Sequence, residues 1–271
     1  MLGFNWYHGL VRNYVILFGS LFNDIQISRV DSSNTEVQIL NVPVEYGPKE
    51  RYLTRAAENP DLLRPISYTY PRMAFEITDF KYDSDRKLNS IGKSTTGGST
   101  TGTLKTQLNP VPYNINFRLS IITRNTDDAL RIVEQIIPYF TPVLNVSVDL
   151  IPEMNYGPIT IPITLNSVRQ DEQYEGGFES KEFVIWTLDF SIKAYLYGPI
   201  SSGTVIKNIN VNFIIPPGNT VQESINIIPG VDANGNPTSL LANSIPQANI
   251  SANSNYGFIT TFTSDINGWR Q

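Results

Sequence analysis

The stretch NPVPYNINFRLSIITRNTDDALRIVEQIIPYFTPVLN, from Asn109 to Asn145, contains the pattern that decides the fold. Apolar and polar residues alternate through its first part, which is typical of a strand with one face on a core. Its second part has apolar residues at helical spacing. The stretch therefore predicts a strand over Tyr113–Ile122 followed by a helix. The predicted core-facing strand residues are Ile115, Phe117, Leu119 and Ile121.

The predicted helix has clear start and stop signals. Asn125 or Thr126 can cap its first turn, where two aspartates complement the positive end of the helix dipole. Pro138 ends the helix because proline cannot continue the hydrogen-bond ladder. The predicted buried stripe consists of Ala129, Leu130, Val133, Ile136 and Ile137.

The chain before this stretch predicts further helices and strands. Apolar residues at helical spacing indicate a helix over Leu10–Phe22. The segment Ile25–Val44 alternates and contains the turn-forming residues DSSN, so it predicts a hairpin. Proline favours a first helical turn, which indicates a short polar helix over Pro48–Glu58. A strand follows from Met73 to Tyr82.

The chain after the stretch is dominated by strands. Val143–Ile151, Ile159–Val168 and Phe183–Tyr197 show strand patterns, and the last two flank a polar hairpin tip, Gln170–Ser180. Runs of strands with few helices argue against alternating βαβ units. The predicted fold class is α+β: a largely antiparallel β-sheet with about three helices packed on it, long loop insertions and an extended C-terminal arm.

Two changes in composition predict the domain organisation. Ser84–Leu108 contains KSTTGGSTTGT, whose small polar side chains bury little surface, so we expect a flexible excursion. The region 201–271 contains twelve asparagines and five charged residues. We expect an α+β core over 1–200, followed by an Asn-rich region over 201–271 with one or two strands and then an extended arm.

Overall composition excludes several classes of protein. The 271 residues are 41% hydrophobic, carry a formal net charge of −5 and include no cysteine. A hydrophobic fraction of this size supplies a core, and the acidic balance argues against binding driven by nucleic-acid phosphates. The chain has no disulfide or thiolate chemistry. No apolar run near the N-terminus approaches the ~20 residues of a membrane span, so we expect neither a signal peptide nor an anchor.

Catalytic and metal-binding motifs are incomplete. The single histidine, His8, is not accompanied by a nucleophile elbow. Gly92-Lys93-Ser94 is similar to the end of a phosphate-binding loop but lacks the upstream glycine. Asp232 opens a calcium-loop spacing in which proline replaces the turn glycine, so an ordinary turn explains it better. The sequence predicts no enzyme, no cofactor and no metal site.

Three segments resemble one protein family. The opening stretch, Asn109–Asn145, is similar to the central strand-helix-strand of the tail-sheath stabilisers, or tail terminators, of T4-like contractile-tailed bacteriophages. VPVEYGPKERYL at Val42–Leu53 and YPRMAFEITDFKYD at Tyr70–Asp83 support the resemblance in the same order. It covers residues 4–200, and the Asn-rich C-terminal region shows no match.

The resemblance implies a structural role in the virion. It implies a hexameric ring that caps the tail tube and last sheath ring, ends their polymerisation and joins the tail to the neck. The implied partners are further copies of the chain, the tail tube protein, the tail sheath protein, and neck or head-completion proteins. The implied location is the virion tail at the neck junction, after assembly in the host cytoplasm. No catalysis, membrane or sequence-specific nucleic-acid contact is expected.

Two polar segments are candidate contact sites for the ring. We hypothesise that the helix Pro48–Glu58 lies at a subunit or sheath interface, although a solvated helix face explains its mixed charges equally well. The acidic hairpin tip is interpreted as solvated, with contact to a basic partner surface as the alternative. The possible interface residues are Lys49, Arg51, Arg55, Glu172, Glu175 and Glu179.

Three other functions compete with this interpretation. Another neck or head-to-tail adaptor would share the ring but would bind portal-side proteins rather than the sheath. A β-rich glycan-binding module would place the aromatic residues in an exposed groove and would act as a monomer. A hydrolase would depend on His8 or on carboxylates alone, and ranks last.

Overall fold

The computed structural model describes residues 5–30, 36–52, 70–97, 102–173, 183–215 and 220–264. Two compact units emerge from the contacts between Cα atoms. The first comprises residues 1–88, 110–152 and 156–197, and the second comprises 89–109, 153–155 and 198–271. The predicted domain boundary between residues 200 and 201 stays a prediction. None of the helices within the described ranges is long and apolar enough to cross a membrane.

The first unit is built on a six-stranded sheet with the order β3-β4-β7-β10-β9-β8. Its strands are β3 (Val44–Tyr46), β4 (Arg72–Tyr82), β7 (Val111–Thr123), β8 (Val143–Val148), β9 (Ile159–Gln173) and β10 (Phe183–Leu196). Neighbouring strands are antiparallel except β3 and β4, which are parallel. A separate two-stranded hairpin consists of β1 (Gln26–Val30) and β2 (Glu36–Asn41).

Two helices of this unit are described in full, and a third in part. Helix α1 spans Leu10–Ser20 and α2 spans Thr126–Ile136. Residues 49–52 are helical, and the rest of the helix predicted over Pro48–Glu58 lies outside the described residues. The predicted turn at Asp31–Asn34 also lies outside them. The predicted α+β class, with a largely antiparallel sheet and helices, is confirmed.

The core lies between α1 and one face of the sheet. Phe117 of β7 is paired with Phe190 of β10 and with Ile77 of β4, so all three side chains point to the same face. Phe18 of α1 is fully buried on this face. Its ring stacks on that of Phe117 with 4.5 Å between the centroids. The alternation in the opening sequence therefore identified the buried face correctly.

Helix α2 begins as its sequence predicts and buries Ala129, Val133 and Ile136 of the predicted stripe. The Asn125 side chain accepts a hydrogen bond from the Asp127 backbone N–H at 3.2 Å. The predicted stripe is wrong at Leu130, which is 47% exposed, and at Ile137, which is 40% exposed. Ile132 is fully buried instead. Leu130 lies off the axis of the buried face, and Ile137 falls in a 3-10 turn beyond the helix end.

The β1–β2 hairpin is attached to α2 by polar contacts. Arg29 forms an ion pair of 3.0 Å with Asp128, which is almost fully buried. Arg131 donates a hydrogen bond to the Ser28 carbonyl, and Gln135 donates one of 2.8 Å to the Gln26 carbonyl. Asp128 therefore anchors the hairpin in addition to its favourable position in the first helical turn.

The second unit contains two three-stranded sheets. One has the order β11-β6-β5, and the other has the order β12-β13-β14. Their strands are β5 (Lys93–Gly97), β6 (Thr103–Leu108), β11 (Ile200–Thr204), β12 (Ile209–Ile215), β13 (Thr220–Gly230) and β14 (Gly257–Ser264). All pairs in both sheets are antiparallel.

The strand content of this unit exceeds what its sequence predicts. The segment Ser84–Leu108 contributes the paired strands β5 and β6, and its predicted flexibility stays a prediction. The described residues from 200 onwards form four strands rather than the one or two predicted. Both segments have weak strand periodicity. Part of their pairing is local, in β5–β6 and β12–β13, and β6 also pairs with the distant strand β11. Local composition therefore underestimates their strand content.

Tyr14 joins α1 to β10 at the point where β9 no longer pairs. The pairing of β10 with β9 ends at Ile192, so Tyr195 has no partner on the β9 side of the strand. The Tyr14 hydroxyl accepts a hydrogen bond of 2.9 Å from the Tyr195 N–H and donates one of 3.0 Å to its carbonyl. The hydroxyl thus replaces the missing strand.

We expect Tyr14→Phe to lower the free energy of unfolding at pH 7 by about 1–2 kcal/mol, because two partly buried backbone groups of Tyr195 lose their partner. Burial raises the pKa of Tyr14 to about 12. Since the folded pKa exceeds the unfolded one, stability should fall as pH rises from about 10 to about 12. Urea unfolding across this pH range should show a shallower fall for the variant. An equal slope would contradict the role of Tyr14.

Candidate assembly interface

The two predicted interface segments begin at the same end of the six-stranded sheet. Ile122 of β7 is paired with Ile185 of β10, which is paired with Asp171 of β9. The β9–β10 hairpin tip therefore begins at this end. Tyr52, in the helical residues 49–52, packs against Ala74 and Ile122. Both segments thus start from the same end of the sheet, which we call the tip end.

The structure places only some of the predicted interface residues. Arg51 is exposed and Lys49 is half-buried. Glu172 lies on β9 opposite Val184, and its side chain is outside the description. Arg55, Glu175 and Glu179 lie outside the described residues. The assignment of these six residues to an interface therefore stays a prediction.

At the tip end, arginine side chains pack on tyrosine rings. Sequence reasoning did not predict these contacts. Arg72 forms an ion pair of 3.2 Å with Glu45 and lies over the Tyr52 ring, 5.0 Å from its centroid. Arg124 lies over the Tyr70 ring at 5.3 Å. Burial, and secondarily the neighbouring Glu45, raise the pKa of Tyr52. The contact of Arg72 with Tyr52 holds the start of the polar helix against the sheet.

The sheet face opposite the helices carries a cluster of charges. Asp189 of β10 is the centre of this cluster. Strand register places Asp189 between Arg118 of β7 and Ser167 of β9. Its carboxylate accepts hydrogen bonds of 3.0 Å from Arg118, 3.0 Å from Ser167 and 2.6 Å from Arg169. Burial alone would raise the pKa of Asp189, but these donors outweigh it, and the pKa is lowered.

This cluster has no signal in the sequence. Its members come from three strands, and Arg118 and Asp189 are 71 positions apart. Only strand register brings them together. Because each charge has a partner on the sheet, the arrangement is that of a structural network, and nothing in it resembles a nucleophile with its base.

The incomplete catalytic motifs have structural roles. Asp232 accepts hydrogen bonds from the backbone N–H groups of Asn234 and Asn236, at 2.9 and 2.8 Å. These bonds close a turn and lower the pKa of the Asp232 carboxyl. Lys93 lies in β5 rather than at a helix start, so the phosphate-loop geometry is missing. Within the described ranges, no group of three or more histidine and acidic residues is placed to hold a metal ion.

Comparison with known proteins gives two concordant matches. The family model described as T4-like virus Myoviridae tail sheath stabiliser matches residues 5–255. The chain is also 29% identical over 241 residues to "Tail completion protein gp15" of Enterobacteria phage T4, which covers 83% of this chain and 86% of that protein. The family match extends past residue 200 and includes the Asn-rich region as far as residue 255, contrary to the coverage expected from sequence. The chain therefore belongs to the tail sheath stabiliser family of T4-like viruses.

Proposed function

We propose that this chain forms a ring at the head-proximal end of a contractile phage tail. There it caps the tail tube and the last sheath ring, ends their polymerisation and joins the tail to the neck. The single observation that carries the proposal is the family match over residues 5–255. The T4 relative, named as a tail completion protein, supports the same place in the virion. The role is structural and needs no active site.

Exposed apolar surface in the second unit supports a role in assembly. On the β12–β13–β14 sheet, Val211, Ile225 and Phe262 are paired across the strands and share one face. Phe262 is 73% exposed and Phe258, further along β14, is 65% exposed. Exposed apolar side chains grouped on one face are typical of protein interaction sites. This sheet is therefore a candidate contact surface for other virion proteins.

The direct test is the mass and shape of the purified chain, with and without tail tubes carrying assembled sheath. Light scattering and negative-stain microscopy should show a six-membered ring, either free or formed on the tube end. A monomer that ignores tail ends would contradict the proposal. Binding to portal-side proteins without sheath binding would favour the neck-adaptor alternative.

We expect charge reversal on the polar helix to weaken sheath binding. Arg51→Glu combined with Arg55→Glu should reduce the affinity for sheathed tubes by roughly fivefold per charge, because an exposed ion pair contributes up to about 1 kcal/mol. The loss should shrink at high salt, since exposed charges are screened. Sedimentation with sheathed tubes measures the affinity. Lys87→Glu, at another exposed position, is the matched control. Unchanged ring formation and binding would refute the interface.

A further inference from the structure

The strand β8 forms one edge of the six-stranded sheet. Its other side faces no strand among the described residues. Its sequence, VLNVSV, contains no charged residue and no proline. Natural proteins usually protect edge strands with lysine, proline or a bulge, because an open edge is a template for pairing with another chain. The β8 edge lacks the first two protections.

Strand geometry shows which backbone groups point outward. The Pro142 carbonyl accepts a hydrogen bond of 3.2 Å from the Leu165 N–H, and the register with β9 continues to Val148. Inward and outward positions alternate along an antiparallel strand. The backbone N–H and C=O groups that face away from β9 are therefore those of Val143, Asn145 and Ser147. The short distance of 3.3 Å between the hydroxyls of Ser147 and Thr160 fits this assignment, since such non-hydrogen-bonded pairs bring side chains close.

A surface groove of about 600 Å3 lies beside this edge, within the first unit. Leu144 of β8 lines it, and the register with Ile163 places Leu144 on the face that the helices cover. Its walls are otherwise mostly apolar and include Leu21, Ile25, Ile136 and Pro138. Side chains alternate between the two faces of a strand. Every second side chain of a strand added beside β8 would therefore point towards the groove.

The charges of the groove indicate what kind of segment fits. Its two charged residues, Asp24 and Glu134, are both acidic and both exposed. No lysine or arginine lines it within the described ranges. The chain itself carries a net charge of −5, so a second copy is the less complementary occupant. An apolar segment with basic residues matches both the walls and the rim.

We propose that β8 binds an extended segment of a different tail protein, which adds to the sheet as a further strand. The segment places alternate apolar side chains in the groove and a lysine or arginine beside Asp24 and Glu134. This inference rests on the proposed function, because the partner is a component of the tail.

The test blocks the outward edge without breaking the sheet. Asn145→Pro removes an N–H that the β8–β9 ladder does not use, and proline is tolerated at such edge positions. Asn145→Thr keeps the N–H and is the matched control. We expect Asn145→Pro to weaken binding to sheathed tail tubes by about tenfold or more, with the melting temperature unchanged, while Asn145→Thr binds like the unmodified chain.

A second variant tests the rim independently of the backbone. Asp24→Lys combined with Glu134→Lys should also weaken tube binding, because it places like charges against the basic partner segment. Asp79→Lys is the control, since its pairing with Asn116 places Asp79 on the opposite face of the sheet. If the Asp24→Lys/Glu134→Lys variant binds tubes as well as Asp79→Lys does, the proposed contact of a basic partner segment with Asp24 and Glu134 is wrong.

Hydrogen exchange separates the possible outcomes. The β8 amides of the unmodified chain should become protected when it binds sheathed tubes. Binding without protection of β8, together with full binding by Asn145→Pro, would overturn this inference and leave the proposed function intact. Failure of the unmodified chain to bind tubes would overturn both. Protection that appears in the free chain as its concentration rises would show that a second copy covers the edge, which also overturns the inference.

Discussion

Phe18→Ala should lower the free energy of unfolding of the first unit by about 3–5 kcal/mol, the largest single loss expected in this chain. Phe18 is fully buried. Its ring lies 5.4 Å from that of Phe75, 4.5 Å from that of Phe117 and 5.2 Å from that of Phe190, measured between centroids. Truncation therefore removes contacts with three strands at once and leaves a cavity between the helix and the sheet.

Hydrogen exchange of the β7 amides in increasing urea measures this loss within the first unit. Ile16→Ala is the matched control on the same helix, because Ile16 is 57% exposed. It should change the free energy of unfolding by about 0.5 kcal/mol or less. Similar losses for the two variants would contradict the position of α1 on the sheet. Both should be compared at one protein concentration, since assembly itself adds stability.

Gly257→Ala should destabilise the second unit by about 3 kcal/mol, at the upper end of the usual cost of overpacking. A Cβ at this position would lie 2.6 Å from the Thr238 carbonyl oxygen and 3.0 Å from the Thr238 nitrogen. Gly257 is paired with Gly230 of β13, which also has no side chain. The Gly230 carbonyl accepts a hydrogen bond of 3.0 Å from the Thr238 N–H. The clash is with backbone, so no side-chain rotation relieves it.

Gly203→Ala provides the control for this prediction. Gly203 lies in β11, and a Cβ there has no other heavy atom within 4 Å. We expect a change within about 0.5 kcal/mol. Amide exchange of β13 and β14 measures the effect on the sheet. If the β13 and β14 amides exchange equally fast in Gly257→Ala and Gly203→Ala, Thr238 does not pack against the paired glycines.

Sequence reasoning succeeded where the signal is local. The alternation at Ile115, Phe117 and Leu119 identified a strand and its buried face, because side chains of a strand alternate regardless of what covers them. The cap at Asn125 was also recognisable, since a helix start needs an acceptor for its free N–H groups within a few residues.

The same reasoning was less accurate for the buried stripe of α2. Ala129, Ile132, Val133 and Ile136 recur at helical spacing and are all buried, whereas Leu130 lies off this stripe and is 47% exposed. The predicted stripe included Leu130 and omitted Ile132, although the spacing itself favours Ile132. The strand content of the Gly-, Ser- and Asn-rich segments was underestimated because their small polar residues give a weak strand pattern, and because β6 also pairs with the distant strand β11.

The sequence by itself determined the strand and helix types, the class of the fold and the family resemblance, because each depends on residues that are close along the chain. Only the tertiary structure decided the charge cluster around Asp189, the bond between Tyr14 and Tyr195, and the open edge of β8. Tyr14 and Tyr195 are 181 positions apart, so no local pattern reports their contact. Strand order and register create such neighbours, and they emerge only when the whole sheet assembles.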